Sequence, residues 1–237
     1  ITDVLNSLDE TIQEWSVVLP VASLNLRREK VQVGDSVFLQ NSEVCEQNMP
    51  NGSSMAEYLE KTKNQKGDIP ELAEVFKRCA LYVTTCTGDR DTAERKAAHQ
   101  LKQVLAIFRT LRDLEKGEDT YPTAVFSHSS ESSGTGYRIS WNDPDTLRGR
   151  WSYRRSPTVK SGMRFGDREM KLMNSNRFSD LLPAMTSTAN ASRLQKRLIR
   201  SVRWFNKGLL TGDGTYAILS YCVSVEALVS QTDTPIS

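Results

Sequence analysis

The stretch Asn190-Ala-Ser-Arg193-Leu-Gln-Lys196-Arg-Leu-Ile-Arg200-Ser-Val-Arg203-Trp-Phe-Asn-Lys207-Gly-Leu-Leu210 decides how this chain is read, because one helical period sorts it into two faces. Leu194, Leu198, Val202, Phe205 and Leu209 align as an apolar stripe. Arg193, Lys196, Arg200, Arg203 and Lys207 recur at 3-4-3-4 spacing as a second, wholly basic stripe, with Arg197 beside it. Like charges at such spacings repel by about 0.2–0.5 kcal/mol per pair. A phosphate backbone, an acidic protein partner or plain solvation would each offset that repulsion, and the sequence leaves all three open. Residues 168–184 and 215–230 carry two further helical patterns. The turn Thr211–Gly214 is short, which makes 190–210 and 215–230 antiparallel neighbours. Leu194, Leu198, Val202, Phe205, Leu219, Val223 and Leu228 are their expected shared core.

Upstream the period changes. Val17, Leu19 and Val21 alternate around Pro20, Val31 and Val33 flank Gln32, and Gly34-Asp35 turns the chain into Val37-Phe38-Leu39. Residues 48–54 read as a loop and 55–62 as a short helix. A longer helix is expected from Pro70, with Leu72, Val75, Phe76, Cys79, Tyr82 and Val83 on one side and Gly88 as its stop. Asp91-Thr-Ala-Glu94 fits a capping box for the next helix, in which Ala97, Leu101, Val104, Phe108 and Leu111 form a buried stripe. Tyr121–Phe126 reads as a strand, Ser127–Gly136 as a flexible loop, and Tyr137–Trp141 with Gly149–Arg154 as a strand pair. The expected fold class is α+β: a β-rich mixed N-terminal domain over residues 1–167, followed by helices over 168–237.

Charge divides too, some twenty residues earlier. Residues 1–147 hold 16 Lys/Arg against 23 Asp/Glu, while 148–207 hold 15 against 3. The net charge of +2 is thus an acidic front joined to a strongly basic block, which suits either a polyanion binder or solvated helix faces that meet the acidic part of this chain or of another subunit. No run of about 18 apolar residues suits a membrane span. Cys45, Cys79, Cys86 and Cys222 show neither CxxC pairing nor zinc spacing with His99 or His128, so reduced thiols and a cytoplasmic location are expected, with no metal and no cofactor.

Three constellations resemble known motifs. Gly212-Asp-Gly214-Thr-Tyr-Ala217 matches a GxGxxA dinucleotide fingerprint and opens a helix, but a helix rather than a strand precedes it, so it reads as an interhelical turn. Pro144-Asp145 with Glu169-Met-Lys171 fits the loose pattern of Mg²⁺-dependent nucleases, whose Glu and Lys need a strand to share one face. Asp167 and Leu172-Met173 suggest a helix there. Arg95 and His99 stand one helical turn apart, a ribonuclease-like pair of phosphate clamp and proton carrier, but off the buried stripe. Walker, HExxH and GxSxG motifs are absent.

Arg200-Ser-Val-Arg203-Trp-Phe-Asn-Lys-Gly208, a short turn, then Ala217-Ile-Leu-Ser-Tyr-Cys-Val-Ser-Val-Glu226-Ala-Leu-Val229 resembles the ApeA-like HEPN family, in which a basic helix ending in an aromatic pair precedes an apolar helix. Val17-Val-Leu-Pro20-Val-Ala-Ser-Leu24 with Val33-Gly34-Asp-Ser-Val37-Phe is similar to the β-rich segment before that domain. The resemblance implies a four- to five-helix bundle, often dimeric, that cleaves RNA without metal in antiviral defence or toxin–antitoxin settings. It places the family's catalytic Arg-x4–6-His on a later helix, beyond Ser237, so no catalytic residue is expected in this chain. Of the family's polar positions only Glu226 carries over, as a residue lining the site from the bundle interior. The expected nucleic-acid-binding residues are Arg193, Lys196, Arg197, Arg200, Arg203 and Lys207, and the expected partners are RNA, a second copy through the helical domain, or an acidic protein. A non-catalytic nucleic-acid- or protein-binding module and a Mg²⁺-dependent nuclease are the alternatives.

Overall fold

The computed structural model describes residues 12–22, 24–48, 57, 76–77, 79–115, 127–128, 134–142, 148–154, 163–165, 167, 170–171, 192–211 and 213–229. They form an antiparallel sheet with helices, a mixed α+β fold. They fall in two compact units, one within Ile1–Lys102 and Phe126–Asp167, the other within Gln103–Val125 and Arg168–Ser237. Of the described residues, the later part of the long helix, 103–115, falls with the second unit.

The first unit is built on a sheet of β1 (Gln13–Ala22), β3 (Lys30–Val33), β4 (Ser36–Leu39), β5 (Ala80–Gly88), β6 (Ser127–His128), β7 (Gly134–Trp141) and β8 (Arg148–Arg154). Its order is β3-β4-β5-β1-β7-β8, with β6 also on β1, and every pairing is antiparallel. A small parallel pair joins β2 (Leu24–Leu26) to β9 (Met163–Phe165). β1 is central and buried on both faces, which is why Val17, Val18, Leu19 and Val21 run together instead of alternating. Its pairing with β7 covers Ser16–Val18 and that with β6 begins at Val21, so Pro20, which lacks an N–H, falls in the interruption. Gly34, at φ 58°, makes the β3–β4 turn in a left-handed conformation that suits glycine.

The strand register sorts the core. Val18, Leu39, Leu81, Val83, Ile139 and Trp141 cluster with Phe76 and with Val44 and Cys45 of α1 (Ser42–Asn48). On the opposite face, Ser36, Thr84, Cys86 and Ser140 meet the first half of α2 (Arg90–Glu115), where Ala93, Ala97 and Leu101 are buried. Tyr82 donates to Ser36 Oγ at 2.8 Å, Ser36 to Thr84 Oγ1 at 2.9 Å, and Thr84 to Gln100 Oε1 at 3.2 Å, satisfying the hydroxyls enclosed beneath the helix. Burial pushes the Tyr82 phenol and the Cys45 thiol up to about 12 each, and raises Cys79 and Cys86.

Four expectations are corrected here. Tyr82 and Val83 lie on β5, not on a helix stopped by Gly88: a central strand covered on both faces shows a continuous apolar run that mimics a buried helix. The cap of α2 is Asp89, whose Oδ1 accepts from Thr92 N at 2.9 Å and whose Oδ2 accepts from Thr92 Oγ1 at 2.6 Å. Those hydrogen bonds lower the Asp89 carboxyl below its ordinary range. Glu94, expected to complete a capping box, is instead turned into the sheet. Ser127–Gly136 is not wholly a loop, since its ends belong to β6 and β7. The expected strands over 31–33, 37–39, 137–141 and 149–154 are present, and the strand expected at 121–126 lies outside the described residues, as does most of the helices expected at 55–62 and 168–184.

The second unit contains α3 (Arg193–Leu210) and α4 (Gly214–Val229), which run antiparallel, together with the later part of α2. Ser192 caps α3 in a reciprocal capping box with Gln195. The seam between α3 and α4 is not the expected apolar core. Leu194, Leu219 and Leu228 are exposed, Leu194 by 70%, and Leu198, Val202, Phe205 and Val223 are half-buried. Small and polar residues meet instead. Ser201 Oγ lies 3.0 Å from Ser224 Oγ, which also donates to the Ser201 carbonyl at 2.9 Å. Gly208 lies so close to Tyr221 that an added Cβ would meet the ring at 2.4 Å, and Tyr221 packs on Phe205 with ring centroids 5.3 Å apart. Large side chains on this line would hold the helices apart; Gly and Ser bring them together.

Candidate nucleic-acid interface

The basic face of α3 follows from where the helix uses its other sides. One side meets α4 through Ser201 and Gly208. Another meets α2 through Asn206, which donates to the Ala106 carbonyl at 2.8 Å and accepts from Arg109 Nη1 at 3.0 Å. Between these lines, at 3.6 residues per turn, Arg203, Lys196, Lys207, Arg200, Arg193, Trp204 and Arg197 follow one another within an arc of about 120°. Arg193, Lys196, Arg203 and Lys207 are exposed, and Arg197 and Arg200 half-buried. The structure thus brings the six expected binding residues together on one side of one helix.

The sequence holds no carboxylate between Asp180 and Asp213. Among the described residues, no carboxylate pairs with Lys196, Arg197, Arg200 or Lys207. Lys207 Nζ instead sits 3.9 Å from the centroid of the Trp204 ring, a cation–π contact between neighbouring turns. Trp204, itself half-buried, is absent from the expected site residues. Its i, i+3 spacing to Lys207 and i−4 spacing to Arg200 is the signal that could have included it.

Other expected positions resolve differently. Glu226 is exposed on α4 rather than turned into a helical interior, because Ser220, Ser224 and Ala227 occupy the buried side. The turn before α4 is closed by Asp213, whose Oδ1 accepts from Thr215 N at 2.9 Å and Tyr216 N at 3.1 Å. A carboxylate thus already holds the helix N-terminus where a dinucleotide phosphate would bind, and α3 precedes it in place of a strand. Arg95 and His99 are both exposed on α2, as their position off the buried stripe implied. Pro144, Asp145 and Glu169 lie outside the described residues, while Met170 and Lys171 are helical. Among the described residues, no group of three His, Cys, Asp or Glu could hold a metal ion, and no helix is long and apolar enough to cross a membrane.

Sequence reasoning also missed Glu94 in the first unit. Its side chain is fully enclosed, accepting from Ser140 Oγ at 2.7 Å and Arg90 Nε at 3.0 Å, with Arg138 Nε 3.3 Å from its second oxygen. This buried ion-pair network ties α2 to β7. Comparison with models of known protein families, with curated proteins and with solved structures finds no match for this chain.

Proposed function

We propose that α3 is an RNA-binding face, and that the chain is the N-terminal portion of a HEPN-type, metal-independent endoribonuclease acting in the cytoplasm in antiviral defence or a toxin–antitoxin-like system. One observation supports the binding reading above the others: Arg193, Lys196, Arg200, Arg203 and Lys207 share one side of α3, with half-buried Arg197 beside them, and the neighbouring sequence offers no carboxylate. Phosphates meeting that arc would release condensed counterions and remove the repulsion along the helix. The ribonuclease reading rests on the resemblance of residues 200–208 and 217–229 to the HEPN pattern. In that reading the 2′-OH attacks the adjacent phosphate, with the Arg and His of the family's Arg-x4–6-His pattern as clamp and proton carrier. Four free cysteines fit a reducing compartment.

A second reading is a non-catalytic binding module, which the exposure of Glu226 on α4 also suits. A salt titration tests the shared claim. Five phosphate contacts on single-stranded RNA give a slope of log K against log[salt] of about −3.5, from about −0.7 per phosphate. Changing Arg200 and Arg203 to Gln flattens it by roughly 1.4 while the circular dichroism stays unchanged. Equal slopes for wild type and double variant would remove RNA binding from this face. Release of a bound acidic protein by the same change would mark a protein-docking helix instead.

A further inference from the structure

We infer that Trp204 is a stacking platform for an unpaired base, so that the basic face of α3 takes single-stranded RNA in preference to duplex. The inference rests on the phosphate-binding reading of that face and adds what the cations alone do not specify. Trp204 lies inside the basic arc, one turn after Arg200 and one turn before Lys207, two side chains within reach of its ring. It stands apart from the other ring of α3, since Phe205 packs on Tyr221 at the α4 seam, whereas Trp204 carries the Lys207 ammonium over its face. An indole that seats a cation presents an electron-rich π-face, the surface on which a flat, polarisable base stacks.

Occupation by a base is an exchange rather than a bare addition. The ammonium of Lys207 leaves the ring and moves to a phosphate, while Arg200 meets the phosphate on the other side of the same nucleotide. Cations interleaved with one aromatic in this way suit unpaired strands, whose bases splay out and whose backbone runs along a charged groove. Duplex RNA keeps its bases stacked, and its deep, narrow major groove admits no helix, so a duplex meets this face through phosphates alone.

The test compares a fluorescent single-stranded uridine decamer with a G·C-rich RNA hairpin of ten base pairs, at one low salt concentration, for wild type, Trp204→Leu and Trp204→Phe. Trp204→Leu is expected to weaken the single strand by about 5- to 150-fold, the range of one base stacked on one aromatic. Duplex affinity and the salt slope stay unchanged, and Trp204→Phe recovers most of the loss. Tryptophan emission quenched by the decamer in wild type, and unquenched in Trp204→Phe, reports the stacking directly even where the leucine variant folds poorly. Equal weakening of both RNAs, or of neither, would overturn the platform while the salt slope keeps the phosphate reading. Absence of salt-dependent binding in the wild type would overturn both.

Discussion

The two units handle charge in opposite ways. In the first, Arg90 and Arg138 converge on one enclosed carboxylate, Glu94, which also accepts from Ser140. In the second, six cations share the outward arc of α3 with no acidic residue between Asp180 and Asp213. Apolar side chains divide likewise. Valine, leucine and aromatic side chains fill both faces of the sheet, whereas α3 and α4 meet through Gly208, Ser201 and Ser224 and leave Leu194, Ile218, Val225 and Val229 exposed. Charges matched internally, as around Glu94, and enclosed apolar side chains serve as scaffold. A unit that turns both outward is the part from which interaction is to be expected.

The strongest break of this comparison is at Glu94. Truncating one member of a buried ion pair costs about 3–5 kcal/mol, and the lower end applies because both arginines keep part of their surface in water. Glu94→Ala is therefore expected to lower stability by about 3 kcal/mol in chemical denaturation, while Arg200→Ala on α3 changes it by no more than about 0.5 kcal/mol. Similar values for the two would mean that the network does not hold α2 to the sheet, and the contrast between the units would lapse.

Gly208 sharpens the account of the helix seam. Alanine gains about 1 kcal/mol in helix propensity over glycine, but a Cβ 2.4 Å from the Tyr221 ring must displace it, and overpacking costs about 1–3 kcal/mol. The expected net loss for Gly208→Ala is about 1 kcal/mol, read as a shift in the thermal midpoint. In a Tyr221→Ala background the same change should stabilise the protein, since only the propensity gain remains. Stabilisation in both backgrounds would show that the helices are not in close contact at Gly208.

What the sequence disclosed and what it hid have the same physical origin. The β3–β4 hairpin was legible because Gly34 is needed where φ is 58°, and the basic face of α3 because its charges keep strict helical spacing. β5 was not, because a strand covered on both faces loses its alternation. The seam of α3 and α4 was misread because the rule that large apolar residues mark a core fails when Gly and Ser admit close approach. Asp91-x-x-Glu94 has the pattern of a capping box, but Glu94 is claimed by Ser140 and Arg138, distant in sequence, and Asp89 caps the helix instead. Trp204 shares the spacing of the basic stripe, but only the Lys207 ammonium over its ring separates it from Phe205, the neighbouring ring that packs the seam.

The smallest expected effect tests the exposed apolar surface itself. Ile139 and Ile218 are the same side chain in the two units, the first with 0% of its surface exposed in the sheet core, the second with 66% exposed on α4. Ile139→Ala removes buried methyl groups that neighbouring strands cannot close over, at a cost of about 2–5 kcal/mol. Ile218→Ala removes surface that water already reaches, and alanine is the better helix former, so its effect should stay within about 0.5 kcal/mol. Because that value assumes nothing covers α4, protein concentration becomes the discriminating variable. A second copy seated on Ile218, Val225 and Val229 would make the wild-type thermal midpoint rise with concentration, and the Ile218→Ala loss would grow with it. A concentration-independent loss above about 1 kcal/mol would instead place Ile218 in this chain's own core. A midpoint that does not move, with a near-zero effect of Ile218→Ala, would keep the apolar face open and leave the basic face of α3 to act from a single chain.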